Sequence, residues 1–600
     1  MTDVETKLRQ IREALRKEDR GNLYAVAGYL PATTEERVGL RVPVPVYSQD
    51  PFVASSDAGP SVRTQLVRWE PGFTDGPTSA NLTVVDFDTD TGRLTPPVRW
   101  SQDRFCFLRP DGEPAAVDDS PDNPWGRQLN AWATTQGILD YFSDPRVLGR
   151  PLGWGFGGNR LTLLPHAGFQ NNAFYDRRSK ALKLYYFGDR DRPGYTSLSH
   201  DVLAHEAGHA VLDGIRPSFL EHTSRDTAAF HETVGDLTAI LTAFRHGRDD
   251  AVASDARTLE PSDFAAWVGG VAEEFGRKTR DRPFLRNAAE RLRLADLSPE
   301  DGHHRASGVL TGAVFELLTY LAAQYLTPER QAERKKEATV RNALWWAAHR
   351  AGRLAFQPLD LLPPADVRSV DYVRAMLRSL EITDPGDPRG YGRLIRGIFH
   401  ARGFCDRDPE SCPASTCPLT PPSLPRPAHF HAVERLSRSP AAAYRFLHDN
   451  RDDFEIPPAQ DFEIVGLYET AKLGAGVRRL PRQIVVEYLW REKVELEGAR
   501  FGSLAGETTT LPCGGTLVLD ESGNLLSWFH KPGRDSEAGR ERHRELLDHL
   551  ARQLGGRRPE GLEQPAAGLA EPAPPVTMRT DEGGALRFET ALHLCVSPPR

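Results

Sequence analysis

The stretch His205-Glu-Ala-Gly-His209 lies within the run Asp201–Asp213, which has the apolar periodicity of a helix. Two histidines four residues apart lie on one face of a helix, so both imidazoles can point at the same ion. Glu206 faces the same cleft without having to bind the metal, which suits it to hold a water molecule. The spacing therefore predicts a metal site with a water-activating carboxylate beside it.

A hydrolytic zinc site needs a third protein ligand and leaves its fourth position to water. Glu232, on the next predicted helix, is the candidate for this ligand. Asp236 lies one helical turn later on the same face, and a metal-bound histidine commonly donates its second ring N–H to such a carboxylate. The pattern therefore predicts His205, His209 and Glu232 as ligands, with Asp236 orienting one of the histidines.

The alternatives to Glu232 have less support from the sequence. His222 and His231 could each supply a nitrogen, but no surrounding pattern supports His222. A different class of zinc site has a third histidine six residues after the motif, and Ile215 occupies that position.

The histidine pair with Glu232 and Asp236 resembles the thermolysin-like (gluzincin) zinc metalloproteases. The resemblance covers about residues 125–404, with a small insertion in Ile215–Arg225 relative to thermolysin. It implies an α+β fold with a thermolysin-like catalytic core, in which a β-rich half and a helical half are joined by the zinc helix. It also implies Zn²⁺ as the cofactor.

The segment upstream of the motif extends the resemblance. Asn171-Asn-Ala-Phe-Tyr175 is similar to the Asn-Ala-Phe-Trp segment of the family. That similarity implies that the Asn172 side chain and the Ala173 carbonyl hold the backbone of a substrate. The strand Leu182–Phe187 is then expected to offer its free edge to an extended peptide.

The segment downstream, Asp301-Gly-His-His304-Arg-Ala-Ser-Gly308, resembles the Gly-Val-His-x-Asn-Ser-Gly motif of the family. The match implies that His304 stabilises the charged tetrahedral intermediate. Asp301 or Glu300 is a candidate to orient it, and His303 is expected to be a bystander.

Leu285-Arg286 resembles the pair that lines the primed-side pocket of the family. By that resemblance Arg286 binds a substrate carbonyl, while Leu285 and Val202 form an apolar wall that selects an apolar residue just after the scissile bond. One departure is plain: the oxyanion tyrosine of the family would fall near Phe219 or Leu220, and neither has a hydroxyl.

The resemblance implies a zinc-dependent endopeptidase that acts on a peptide or protein substrate. In that mechanism Glu206 takes a proton from the attacking water and delivers it to the leaving amine, while His304 supports the oxyanion. The alternative is a zinc-binding regulatory or interaction protein that has little or no turnover. An aminopeptidase of the same clan is disfavoured because the chain lacks a Gly-x-Met-Glu-Asn type of motif.

Composition excludes other classes of protein. A net charge of −8 provides no basic field for nucleic acid. The sequence has no run of eighteen apolar residues, so no membrane span is predicted. The charged start Met-Thr-Asp-Val-Glu has no apolar signal region, and a cytoplasmic location is therefore expected.

A chain of 600 residues is too long for one core and predicts several domains. Five segments are expected: an N-terminal β-rich region (1–124), the metallopeptidase domain (125–404), a linker rich in Pro and Cys (405–427), an α+β domain (428–555), and a flexible Pro/Ala/Gly-rich tail (556–600). An end domain is expected to restrain the enzyme or to recruit a partner. Free thiols, a disulfide and a second zinc site completed by His400 all stay open for Cys405, Cys412 and Cys417.

Overall fold

The computed structural model describes residues 40–48, 50–51, 62–117, 123–221, 224–244, 269–298, 301–325, 336–404, 424–425, 427, 433–474, 478–555, 576–581 and 583–590. Helix makes up 41% and strand 25% of the structure, which confirms the mixed α+β class. His222, Glu300 and the cysteine cluster of the linker lie outside the described residues.

The helices in these ranges are α1 (Pro124–Ser143), α2 (His200–Ile215), α3 (Arg225–Ala243), α4 (Glu273–Arg280), α5 (His303–Tyr325), α6 (Lys336–Phe356), α7 (Ser369–Thr383), α8 (Tyr391–Ala401), α9 (Val433–Leu436), α10 (Pro440–Asp449) and α11 (Glu537–Leu554). The strands are β1 (Arg41–Tyr47), β2 (Val62–Arg68), β3 (Leu82–Val84), β4 (Phe87–Asp88), β5 (Arg93–Leu94), β6 (Arg99–Ser101), β7 (Cys106–Leu108), β8 (Leu161–Leu164), β9 (Ala173–Asp176), β10 (Ala181–Leu184), β11 (Tyr186–Asp189), β12 (Arg192–Tyr195), β13 (Gly270–Val271), β14 (Arg286–Asn287), β15 (Glu463–Thr470), β16 (Gln483–Glu495), β17 (Thr508–Asp520), β18 (Leu525–Lys531), β19 (Val576–Thr580) and β20 (Leu586–Thr590).

The N-terminal region is built from short antiparallel pairs, as its sequence predicts. In β1 the side chains of Val42, Val44 and Val46 alternate into the core, and the strand pairs antiparallel with β2. This region is not a separate unit, however, because β3 joins a four-stranded sheet in the order β3-β8-β10-β9 and runs parallel to β8. The N-terminal region and the metallopeptidase region therefore share a sheet and a core.

The helix that carries the histidine pair begins at His200. Ser199 is the N-cap of α2, and its hydroxyl accepts a hydrogen bond from the backbone N–H of Val202. Helix α3 packs against α2 at two glycines: a Cβ placed on Gly208 would lie 3.0 Å from the Cα of Gly235. The absence of side chains at this contact allows the two helices to approach closely.

The C-terminal region forms a six-stranded sheet in the order β15-β16-β17-β20-β19, with β18 paired to β17. Two of these strands lie in residues 556–600, which were expected to be flexible. That expectation is wrong for β19 and β20, which pair antiparallel with each other, while Leu586 pairs with Thr509 of β17. Composition suggested flexibility because the segment is rich in Pro, Ala and Gly, and the pairing of Leu586 with Thr509 joins positions far apart in sequence.

The C-terminal sheet and residues 125–404 have a hydrophobic core in common, and buried charged side chains from both regions meet between them. Val485, Val518 and Phe529 belong to the same hydrophobic core as the helices of residues 125–404. A cluster of charged and phenolic side chains, called the ionic cluster below, lies between the two regions. Its members are Arg150, Arg216, Asp360, Tyr468, Lys472 and Glu487.

Asp360 is the centre of the ionic cluster. It is fully buried, and its carboxylate lies 2.7 Å from Nζ of Lys472 and 3.0 Å from Nη2 of Arg150. Burial opposes the charge of this carboxyl, but Lys472 and Arg150 outweigh burial and lower its pKa to about 2. Arg216, just past the end of α2, donates to Glu487 of β16, so the cluster ties the histidine helix to the C-terminal sheet.

One of the described helices, α5, is long and apolar enough to pass a compositional test for a membrane span. Within its most apolar window, however, 72% of the residues are buried inside the protein. Burial of this extent is typical of a helix in the core of a globular fold.

Replacing Asp360 with Asn should lower the free energy of unfolding by about 3–5 kcal/mol at neutral pH, because two buried cations lose their counter-ion. The native pKa of the carboxyl lies below its unfolded value. Its contribution is therefore complete above about pH 4 and disappears as the pH falls through about 2. Chemical denaturation across this pH range measures both effects. Asp548→Asn, which removes the exposed partner of Arg500, is the control and should cost less than about 1 kcal/mol.

Candidate metal centre

The structure brings together the three side chains that the sequence predicts as metal ligands. Nε2 of His205 lies 3.1 Å from Nε2 of His209. The two oxygens of Glu232, on α3, lie 3.5 Å and 3.6 Å from these nitrogens. One ligand atom from each residue falls within 4.8 Å of the others.

The chemistry of these atoms fits a zinc ion. Two nitrogens bound to a tetrahedral zinc are separated by about 3.3 Å, given Zn–N distances near 2.0–2.1 Å. The observed separation of 3.1 Å between the imidazoles is close to this value. His205, His209 and Glu232 are all buried, and neither oxygen of Glu232 makes a geometrically good hydrogen bond. Two imidazole nitrogens and a carboxylate oxygen placed this way could hold a metal ion.

Asp236 takes the orienting position predicted for it. Its Oδ1 lies 3.0 Å from Nδ1 of His205, which leaves Nε2 of that ring to face His209. Burial opposes a charge on His205, but Asp236 and Glu232 outweigh it and raise the pKa of the imidazole to about 9. Gly235 lies against the same ring, because a Cβ at that position would be 2.8 Å from Nδ1.

Glu206 lies beside the ligands and is fully buried. Its Oε2 accepts a hydrogen bond of 3.0 Å from the backbone N–H of Tyr175, and its Oε1 has no hydrogen-bond partner. Burial raises the pKa of this carboxyl to about 8, and the negative charge of Glu232 acts in the same direction. Glu206 thus has one fixed oxygen and one oxygen available for a proton.

His304 and Arg286 both lie against the ligand carboxylate. Nδ1 of His304 and Nη1 of Arg286 are each 2.9 Å from Oε2 of Glu232. Burial opposes the charge of Glu232, yet these two neighbours hold the pKa of its carboxyl well below the usual range. Arg286 also donates to Asp236 at 2.9 Å, so its contacts are with the centre itself rather than with an open substrate pocket.

The residues expected around His304 are arranged differently. Asp301 does not orient it: one of its oxygens accepts from the N–H of Ser298, and the other pairs with Arg305. His303, expected to be a bystander, has its ring 4.2 Å from the ring of His304. It also lies within ligand distance of Glu232 and His304.

The edge strands of the four-stranded sheet are β3 and β9, and the predicted edge Leu182–Phe187 is at neither position. That segment divides into β10 and β11, and β10 is paired on both sides, with β8 and with β9. The expectation of a free edge is therefore wrong for Leu182–Leu184, the part of the segment that lies in β10. Ala173 begins the edge strand and is buried, while the side chain of Asn172 accepts from the N–H of Ala173 at 2.9 Å. The sequence does not show which strand, β9 or β10, lies at the edge of the sheet, because both segments contain apolar residues.

The two residues predicted to form an apolar wall are placed differently from each other. Val202 belongs to the hydrophobic core on α2. Leu285 is partly buried and packs against that core next to Arg286. Phe219 and Leu220, where the tyrosine of the family would fall, are both buried and bring no hydroxyl to the centre.

Sequence reasoning missed Tyr175, which connects the edge strand to α2. Its hydroxyl donates to Asp213 at 2.6 Å, and Nε of Arg177 donates to the same carboxylate at 2.8 Å. Asp213 lies two turns after His205 on α2, so the helical spacing was the available signal. His231, weighed as an alternative ligand, is fully buried, and burial lowers its pKa to about 3. It does not join His205 and His209 within ligand distance.

No family model matches the sequence, and no curated protein matches it.

Replacing Gly235 with Ala should weaken zinc binding by roughly 10- to 100-fold, because the new methyl group would displace the His205 ring and its contact with Asp236. Competition against a chromophoric chelator measures the affinity. Gly397→Ala on α8 is the matched control, since a Cβ there meets no atom within 4 Å. Equal affinity in both variants would show that the packing of this ring does not control the site.

Proposed function

We propose that the chain is a zinc-dependent endopeptidase with a thermolysin-like catalytic core. The observation that carries the proposal is the convergence of His205, His209 and Glu232 on one point, with Glu206 beside them. Two imidazoles and one carboxylate form the ligand set of several zinc peptidases, and a glutamate between the histidines is their general base. We infer the zinc cofactor, the thermolysin-like family and the endopeptidase activity from these residues.

The bound zinc ion would supply Lewis-acid polarisation to a water molecule and to the carbonyl of the scissile bond. His205, His209 and Glu232 would hold it, and Asp236 would keep His205 in the ligating tautomer through Nδ1. The carboxylate of Glu232 and the imidazoles of His205 and His209 are all buried, so the surrounding packing holds them in position.

Glu206 is placed to move the proton. The N–H of Tyr175 fixes one of its oxygens, so the other can accept a proton from water and return it to the leaving amine. A nearby divalent cation favours the carboxylate form and offsets the burial that raises the pKa of Glu206. The residue would then act as a base first and as an acid second.

His304 and Arg286 would provide the positive side of the reaction centre. Both have part of their side chain exposed, at 24% and 19%, whereas the ligands are enclosed. Nε2 of His304 is buried without a hydrogen-bond partner, so it is available to donate to an oxyanion. Arg286 contacts His304 at 3.0 Å and thus helps to position that ring.

The substrate would be an extended peptide segment bound along β9. No other described strand pairs with its outer edge, on which the Tyr175 N–H is used by Glu206 and the remaining backbone groups would pair with the peptide. Backbone pairing of this type gives affinity, and side-chain pockets give selectivity. Leu285, beside Arg286, is the residue we assign to an apolar preference just after the scissile bond.

A second function has one observation in its favour. Glu206 and the three ligands are almost completely buried, so a peptide carbonyl reaches them only if the surrounding elements move. A protein with this arrangement can be a zinc-binding regulatory module without turnover. It can also be a latent enzyme restrained by its C-terminal region, whose Arg491 pairs with Glu221 just beyond α2.

Glu206→Gln should retain zinc and lose peptide hydrolysis by roughly 10²- to 10⁴-fold, since the amide cannot accept the proton. Cleavage of a peptide library by zinc-loaded protein measures the rate, and elemental analysis measures the metal. Glu497→Gln, at an exposed glutamate far along the chain, is the control and should keep full activity.

The two candidate functions give different results in this assay. An inert wild-type protein that nevertheless binds zinc would support the regulatory module. Wild-type activity in Glu206→Gln would contradict the proposed mechanism.

A further inference from the structure

Strand β9 lies at an edge of the four-stranded sheet and contacts helix α2 from its outer side. Its residues Ala173–Asp176 pair with β10, and no other described strand pairs with the opposite edge. Because β9 has only four residues, its pairing with β10 supplies few backbone hydrogen bonds. The contacts between β9 and α2 therefore have a large share in fixing the strand beside the helix.

Tyr175 makes two of these contacts. Its backbone N–H donates to Oε2 of Glu206 at 3.0 Å, and its hydroxyl donates to Oδ2 of Asp213 at 2.6 Å. Glu206 and Asp213 are seven residues apart on α2, which places them two turns apart on one face of the helix. A single tyrosine thus joins the strand to the helix at two points, and one of these points is the proposed general base.

Asp213 is itself held in place from several sides. Arg177 follows β9 and lies two residues after Tyr175, so both side chains are on the same side of the chain. Its Nε donates to Oδ2 of Asp213 at 2.8 Å, and its Nη2 donates to Oδ1 of that residue and to the carbonyl of Pro217. A Cβ at Gly155 would clash with the same carboxylate, so the neighbouring loop encloses it.

The burial of Asp213 makes these hydrogen bonds effective. The residue is fully buried, so water does not compete for its two oxygens. Hydrogen bonds between an ionised carboxylate and a guanidinium are short, strong and directional, and a tyrosine hydroxyl on the same carboxylate is constrained with them. Asp213 therefore gives the hydroxyl of Tyr175 a fixed partner on α2.

The position of Glu206 depends on this arrangement. Its Oε2 accepts from the N–H of Tyr175, while its Oε1 has no hydrogen-bond partner. A displacement of about 1 Å in a reacting group can lower the rate of an enzyme by about 10²-fold. A change in where the N–H of Tyr175 lies would move the carboxylate that it holds.

We propose that Tyr175, Asp213 and Arg177 are positioning residues for Glu206. Asp213 holds the hydroxyl of Tyr175, and the N–H of Tyr175 then holds Oε2 of Glu206. Arg177 fixes the carboxylate of Asp213 and ties it to the turn that follows α2. The effect on hydrolysis rests on the proposed function, whereas the effect on the Tyr175 N–H does not depend on it.

Tyr175→Phe in the full-length, zinc-loaded protein tests the effect on hydrolysis, because it removes the hydroxyl and keeps the ring. We expect kcat for a peptide substrate to fall by roughly 10- to 100-fold, since the base is no longer held in place. KM should change by less than about threefold, because the buried side chain of Tyr175 does not contact the peptide. Tyr444→Phe, which removes a hydroxyl that donates to Asp461 at the surface, is the matched control and should keep kcat.

Hydrogen exchange of the backbone amide at position 175 tests the contact without relying on turnover. We expect this amide to be protected in the wild-type protein and to exchange at least about tenfold faster in Tyr175→Phe. Other protected amides should keep their rates, which separates a local release of β9 from global unfolding. Tyr444→Phe should leave the protection at position 175 unchanged.

Unchanged kcat in Tyr175→Phe, or unchanged protection of the amide, would overturn the proposal. A wild-type protein that is inert toward peptides would contradict the proposed function, and the exchange measurement alone would then decide this inference. If Tyr175→Phe does not fold, Arg177→Lys replaces it, because lysine keeps the charge and loses the two-point contact with Asp213. Full protection at position 175 in a folded Arg177→Lys would count against the proposal equally.

Discussion

The contact between α2 and α3 at Gly208 and Gly235 is the constraint on which the centre depends. Each helix carries part of the ligand set, so the centre exists only if the two axes approach closely. A side chain at Gly208 would meet Gly235 and Thr238, and one at Gly235 would meet the His205 ring. The glycines therefore fix the distance between Glu232 and the two histidines. Glycine lowers helix propensity, but here the close approach of the two helices is the more important effect.

Buried charge is the second theme of the structure. The candidate metal centre and the ionic cluster around Asp360 each place several ionisable groups out of contact with water. Charges in such surroundings are stable only when their partners are held in place by packing. In the ionic cluster the partners are Lys472 and Arg150. At the candidate metal centre the carboxylate of Glu232 has Arg286 and His304 as partners.

Local features of the fold could be predicted from the sequence, and distant ones could not. The shared face of His205 and His209 and the position of Asp236 one turn after Glu232 follow from helix geometry, and the structure confirms that these residues lie on helices. The interior position of β10, the entry of β3 into the same sheet and the strands in the tail depend on pairings between distant segments. The contact of Arg286 with Glu232 was missed for the same reason, since one apolar residue beside an arginine does not reveal where its guanidinium lies.

The ionic cluster affects how the chain folds while it is being synthesised on the ribosome. Arg216 precedes its buried partner Glu487 by 271 residues. At translation rates of about 5–20 residues per second, Arg216 waits on the order of 15–50 seconds for that carboxylate. We expect the end of the histidine helix to be incompletely packed during this interval. The order of synthesis would thus delay this contact until the C-terminal sheet has formed, and a prematurely terminated chain would lack it.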